Sequence, residues 1–133
     1  GAEYDYYTTT KGILEKVKAH AGDVDFEVQP ELLSLFSNRD FGRYADEKGE
    51  MNVCFISNND ITGGNSGSAM FNSEGELLGL AFDGNWEAMS SDILYEPKMQ
   101  RCIGVDVRYI LFMIEKYGKA GNLIRELKIV PAK

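Results

Sequence analysis

The chain has 133 residues, the length of one ordinary domain, and its 44% hydrophobic against 26% charged residues suffice for a core of its own. A mean hydropathy of −0.28, with no apolar run near the ~18 residues a spanning helix needs, excludes a membrane-crossing helix. The formal charge of −7 and an isoelectric point of about 4.7 argue against nucleic acid as a partner, because phosphate binding needs clustered Lys and Arg. Such a surface attracts, weakly, cationic ligands such as the free amine of a peptide.

Taken in chain order, Gly1 reads as a tag remnant, and no signal peptide is visible. Asp25-Phe26-Glu27-Val28 alternates at period two and predicts a strand, ended by Gln29-Pro30. Pro30 in a first turn, followed by Leu32, Leu33, Leu35 and Phe36, predicts a short helix. Residues 38–50 are polar and charged and predict a surface loop. Met51 to Ser57 reads as a strand with Val53 and Phe55 on one face and Cys54 and Ile56 on the other. Asn58-Asn59-Asp60 closes it and opens a glycine-rich loop.

Ser68 to Phe71, a turn at Asn72-Ser73-Glu74-Gly75 and a return strand from Leu77 to Phe82 predict a hairpin. Arg101 to Val105 reads as a further strand. Asp106 then fits an N-cap for a helix whose Val107, Ile110, Leu111 and Ile114 recur at helical spacing, with Gly118 as its stop. Phe112 and Met113 lie off that stripe, which predicts that this helix packs on something beyond the chain. A short helix from Asn122 to Lys128 ends the sequence. Cys54 and Cys102, the only cysteines, both sit among apolar strand residues, which favours buried small hydrophobes over a disulfide. This pattern by itself specifies one domain, 1–133, mainly antiparallel β with terminal helices.

The chemistry concentrates at Thr62-Gly63-Gly64-Asn65-Ser66-Gly67-Ser68. A serine hydroxyl is a weak nucleophile and needs a base for its proton and donors for the developing oxyanion. Glycines on either side of Asn65-Ser66 let the backbone turn sharply, so the N–H groups of Gly64 and Ser66 can converge beside the Ser66 hydroxyl. One such donor typically contributes about 2.7–4 kcal/mol to the transition state. A hydrolase elbow would need glycine where Ser68 stands, and a phosphate-binding loop would need a lysine after Gly67. The plain alternative is a glycine-rich β-turn with an incidental serine.

The run from Asn59 to Ser68 resembles the bacterial dipeptidyl-peptidase 7 and 11 family of chymotrypsin-clan serine exopeptidases. So do Gly75 through Glu87 and Arg101 through Tyr109, with weaker likeness from about Lys11 through Phe41-Gly42-Arg43-Tyr44-Ala45. One departure is Ala69, where a proline commonly follows Gly-Asn-Ser-Gly-Ser; it lies past the oxyanion turn. The resemblance implies the second β-barrel of a two-barrel, chymotrypsin-like serine peptidase, excised from a longer chain in which His, Asp and Ser occur in that order. It implies Ser66 as nucleophile and Gly64 with the Ser66 N–H as oxyanion hole. It also implies Asp83 as the group that binds a substrate's protonated α-amine and Gly84 as part of the S1 pocket. Relatives that cut after acidic residues carry an arginine where Gly84 stands, so glycine predicts an apolar P1 preference.

The implied reaction is release of N-terminal dipeptides from oligopeptides, with no cofactor and no metal. The full-length protein would be periplasmic or secreted, and a homodimer. The only histidine, His20, sits in a polar setting and reads as a surface residue; with Asp23 and Asp25 it lacks a metal-ligand set. The triad His and Asp are therefore absent, and the isolated chain is expected to be inactive. Trp86 and Tyr109 read as core, and Glu87, Asp92 and Glu96 as a solvated acidic loop. Two other functions fit the same residues: the second barrel of a trypsin-like endopeptidase, which would not need Asp83, and a catalytically dead, peptide-binding barrel.

Overall fold

The structure is a computed structural model that describes residues 5–90, 96 and 98–131. It contains strands β1 (Tyr7–Thr9), β2 (Asn52–Ser57), β3 (Ala69–Phe71), β4 (Leu77–Gly84) and β5 (Cys102–Asp106), and helices α1 (Thr10–Ala19), α2 (Pro30–Ser37), α3 (Val107–Phe112) and α4 (Gly121–Arg125). The strands join in the order β1-β2-β5-β4-β3, with β2–β5, β5–β4 and β4–β3 antiparallel. Mainly antiparallel sheet with a few helices is the architecture the sequence predicts. The chain divides into two compact units: the residues to Tyr7 with Val53–Val107, and Thr8–Asn52 with the chain from Arg108 on.

In the first unit Met70, Ala81 and Cys102 form the core, with Phe55 and Ile61 packed on them. Phe55 lies opposite Gly104 in the β2–β5 register, and a Cβ at Gly104 would stand 2.9 Å from the Phe55 ring and 2.6 Å from Met70 Sδ. Only glycine lets the aromatic ring lie across the sheet there. Both cysteines are unbridged; Cys102 is buried and Cys54 half-buried. Burial pushes the Cys102 thiol above its ordinary range, against a hydrogen bond with Ser57 that lowers it. The thiol thus stays protonated and acts as a small hydrophobe.

The second unit centres on Phe36, Phe41, Tyr44, Met51 and Phe112. Phe112 meets Phe36 and Phe41 at ring separations of 6.0 Å each and Tyr109 at 6.3 Å. The expectation that Phe112 and Met113 face a partner outside the chain is therefore corrected: both pack within this unit. A π-helical turn at Met113–Tyr117 follows α3, with the Gly118 N–H donating to Met113 O at 2.7 Å. Gly118 ends it at an ordinary φ of −75°, and the left-handed residue is Lys119 at +54°.

Three other elements differ from expectation. The predicted strand at 25–28 is a 3₁₀ turn, Val24–Phe26, because the Asp23 carboxylate accepts from the Asp25 N–H at 3.1 Å and holds the chain in a bend. The segment 38–50 is no simple surface loop, since Phe41 and Tyr44 are both fully buried. The closing helix is shorter than predicted, Gly121–Arg125, whereas Asp106 ends β5 directly before α3, at the position expected of its cap.

Candidate active site

The glycine loop joins β2 to β3 in the first unit. Its shape is set by Asn65: the side-chain Oδ1 accepts from the Thr62 N–H at 2.8 Å and from the Thr62 hydroxyl at 3.3 Å. The Asn65 N–H donates to Thr62 O at 3.1 Å, and the Ser68 N–H donates to Asn65 O at 3.0 Å. Gly64 takes φ +93° and Gly67 +86°, the left-handed region in which a side chain would be strained. The motif alone gives Asn65 no separate role; its turn-closing role follows from the general habit of Asn to bond backbone a few residues away.

The loop is tied to β4 at two points. The Gly67 N–H donates to Ala81 O at 2.7 Å, and the Ala81 N–H donates to Ser68 O at 2.9 Å. These bonds extend the β3–β4 pairing, in which Ala69 faces Leu80 and Met70 faces Gly79. The Ser66 hydroxyl points along β4 and donates to Phe82 O at 3.4 Å. The amides of Asn65, Gly67 and Ser68 are thus engaged, whereas those of Gly64 and Ser66 donate to no protein acceptor among the described residues.

Asp83 and Gly84 follow Phe82 directly. Asp83 is exposed, and its Oδ1 accepts from the Gly84 N–H at 2.8 Å, so the carboxylate is oriented by its own backbone. Pairing with β5 slips between Ala81 and Asp83, leaving Asp83 opposite Ile103 and Gly84 opposite Cys102. Gly84 is half-buried. The structure thus brings Gly64, Ser66, Asp83 and Gly84 onto one loop and the strand it is bonded to.

Asn85, which no sequence motif marks, is 8% exposed and fastens the end of this strand. Its N–H donates to Arg101 O at 2.9 Å, its Oδ1 accepts from the Arg101 N–H at 2.8 Å, and its Nδ2 donates to Met99 O at 2.8 Å and to Glu87 at 2.8 Å. Trp86, expected in the core, is instead 79% exposed beside it. Tyr109, by contrast, packs as expected. Glu87 is engaged with Asn85 rather than freely solvated, Glu96 is exposed, and Asp92 lies outside the described residues.

His20 belongs to the second unit. It is exposed and stacks on Phe26 at 4.0 Å, on the wall of a groove of about 450 Å³ shared with Val17, Val28 and Pro30. Among the described residues no cluster of three His, Cys, Asp or Glu could hold a metal ion.

The peptidase S46 family matches residues 1–129. The chain belongs to that family of serine peptidases. It is similar to dipeptidyl-peptidase 7 of Porphyromonas gingivalis, 56% identical over 130 residues that make up 98% of this chain and 18% of the relative. It is also similar to the Asp/Glu-specific dipeptidyl-peptidase of Capnocytophaga gingivalis, 47% identical across 96% of this chain and 18% of that protein. Among solved structures, Porphyromonas endodontalis DPP11 in complex with the dipeptide Arg-Asp superposes with a TM-score of 0.90 at 40% identity, covering 96% of this S46 chain and 18% of the other. The S46 chain therefore spans less than a fifth of the length of the relatives it matches.

Proposed function

We propose that this chain supplies the nucleophile, the oxyanion donors and the amine-recognition group of a serine dipeptidyl-peptidase that removes dipeptides from free N-termini. The observation that carries this reading is the placement of Ser66. Its hydroxyl lies 3.4 Å from the Phe82 carbonyl, one residue before Asp83, on a loop that leaves the Gly64 and Ser66 amides without a protein acceptor among the described residues. Attack by Ser66 on the second peptide bond would place the carbonyl oxygen against those amides, which stabilise the tetrahedral oxyanion. Asp83 would hold the protonated α-amine by a charge-assisted hydrogen bond. Amine and nucleophile then sit at a fixed separation, which selects dipeptide release.

Gly84 would form part of the S1 pocket, and its lack of a side chain favours apolar P1 residues. The dipeptidyl-peptidase 7 relatives, up to 57% identical, are nearer than the Asp/Glu-specific ones, up to 47%, which supports that preference. The DPP11 complex with Arg-Asp supports a short peptide as ligand. Placement in the periplasm or outside the cell, and a dimeric full-length protein, belong to the same reading and rest on the family resemblance.

Base activation requires a histidine positioned by a carboxylate, and His20, stacked on Phe26, is not that base. The full-length protein should react rapidly with a fluorophosphonate at Ser66, and Ser66→Ala should abolish both labelling and dipeptide release. The isolated chain should do neither. Fast labelling of the isolated chain, or activity surviving Ser66→Ala, would overturn this reading.

A further inference from the structure

A Cβ placed at Gly84 would stand 2.8 Å from the Ala88 Cβ, 3.6 Å from Ile61 Cγ2 and 3.8 Å from Arg101 O. The first distance is shorter than two carbon atoms tolerate, whereas the other two are ordinary contacts. The space beside Gly84 is therefore closed by the methyl group of Ala88, four residues on. We propose that residue 88 is a specificity-determining position of this site, and that residues 84 and 88 act as a pair in deciding which P1 side chains the pocket accepts. This rests on the reading of Gly84 as a pocket wall.

Ala88 is held where it is. It lies in the 3₁₀ turn Trp86–Ser90, and its N–H donates to Asn85 O at 2.9 Å. Asn85 in turn bonds Arg101 through both backbone and side chain and Met99 through Nδ2. Retreat of the Ala88 methyl would strain a buried amide that fastens the end of β4 to the start of β5. Ile61 cannot yield easily either, because it packs on the Met70, Ala81 and Cys102 core. The remaining side is the Arg101 carbonyl, an acceptor that repels a carboxylate.

As it stands, this corner offers two methyl groups and one carbonyl oxygen, which suits an apolar P1 side chain and disfavours an acidic one. A cation introduced at position 84 has no room while Ala88 keeps its methyl. Removing that methyl opens the route, so the two positions should be coupled in both packing and selectivity.

The test uses the full-length protein with wild type, Gly84→Arg, Ala88→Gly and the double variant. The readout is the ratio of kcat/KM for a free-amine dipeptide substrate with Glu at P1 to that with Leu at P1. In parallel, Gly84→Ala with and without Ala88→Gly is followed by Tm, since a single added methyl is the gentler perturbation. We expect Gly84→Ala to lower Tm and Ala88→Gly to restore it. The double Gly84→Arg/Ala88→Gly should raise the Glu/Leu ratio beyond the product of the single effects, by the roughly 2- to 150-fold typical of residues in contact. If Gly84→Arg shifts the ratio fully with Ala88 in place, the pocket reading stands and the pair is overturned. If no variant moves the ratio although the Tm cycle is coupled, the pocket reading fails and the specificity assignment falls with it. Additive Tm and additive ratios overturn the pairing outright.

Discussion

Replacing Asp83 by asparagine isolates the charge from the geometry. In the native site the Asp83 Oδ1 accepts from the Gly84 N–H at 2.8 Å, and an asparagine oxygen can accept the same bond. The strand end, fastened independently through Asn85 to Arg101, should not move. What disappears is the negative charge that, on the proposed function, faces the substrate amine. A hydrogen bond to a charged group contributes about 1.5–3 kcal/mol when the site is closed over the ligand. At about 1.4 kcal/mol per tenfold, that is a loss of roughly 10- to 150-fold in affinity for a free-amine ligand.

The assay compares inhibition constants of a free-amine dipeptide and its N-acetyl counterpart against the full-length protein, wild type and Asp83→Asn. Wild type should favour the free amine by that factor, and Asp83→Asn should remove most of the difference. The wild-type preference should also fade as pH rises through the amine's own pKa, near about 7.7–8.0 for an α-amino group. An amine preference that survives Asp83→Asn, or an equal loss for both ligands, would refute the assignment and favour an endopeptidase-type site that does not measure from the N-terminus.

Gly64→Ala should lower kcat of the full-length protein by about 10²–10³ with little change in KM, because a Cβ at φ +93° would rotate the amide out of the proposed oxyanion position; a KM effect alone would contradict that proposal. Tyr44 offers a pH test of the second unit. Burial first, then its 2.5 Å hydrogen bond to Glu115 and that carboxylate's charge, push its hydroxyl from the ordinary 10.0 up to about 12. A pKa raised on folding means stability that is complete below pH 10 and lost as pH rises toward 12. The amount is roughly 3 kcal/mol at about 1.36 kcal/mol per unit. Denaturant unfolding of Tyr44→Phe should therefore lack this alkaline decline, and an unchanged slope between pH 10 and 12 would refute it.

Most of the β hairpin and the glycine loop were legible because their signals are local. Asn72 and Gly75 mark the turn, and the Asn72 N–H and Glu76 O close it at 3.0 Å; Gly64 and Gly67 mark the positive φ angles. Helix α1 carries little local signal, since it opens after Thr8-Thr9 and contains Thr10 and Gly12, residues with weak helical preference; Ile13 and Leu14 pack it on the second core. The strand expected at 25–28 rested on only four alternating residues, and one Asp23 side chain was enough to bend them into a turn. Phe112 looked unpartnered because its partners Phe36 and Phe41 lie some seventy residues earlier in the chain. Asn85 escaped notice for the same reason: its carbonyl and amide partners, Met99 and Arg101, carry no local signature. Asp83 and Gly84 were singled out only by family likeness.

The slip in β4 explains why a carboxylate can stand next to the core at all. Gly79 and Ala81 are buried while Leu78 and Phe82 are exposed, so strict alternation would turn residue 83 inward, toward Met70 and Cys102. An unpaired carboxylate there would be costly enough to protonate or to disrupt the core. Instead the register shifts between Ala81 and Asp83, and a one-residue insertion exchanges the faces of everything beyond it. Asp83 therefore emerges exposed, Gly84 turns half-buried toward Ile61 and Ala88, and the Phe82 carbonyl meets the Ser66 hydroxyl. A single irregularity in one strand thus places the carboxylate proposed to bind the amine, the glycine proposed as a pocket wall and the carbonyl that accepts from the Ser66 hydroxyl in consecutive residues. The same strand stays anchored to the core on one side of the slip by Ala81 and to β5 on the other by Asn85.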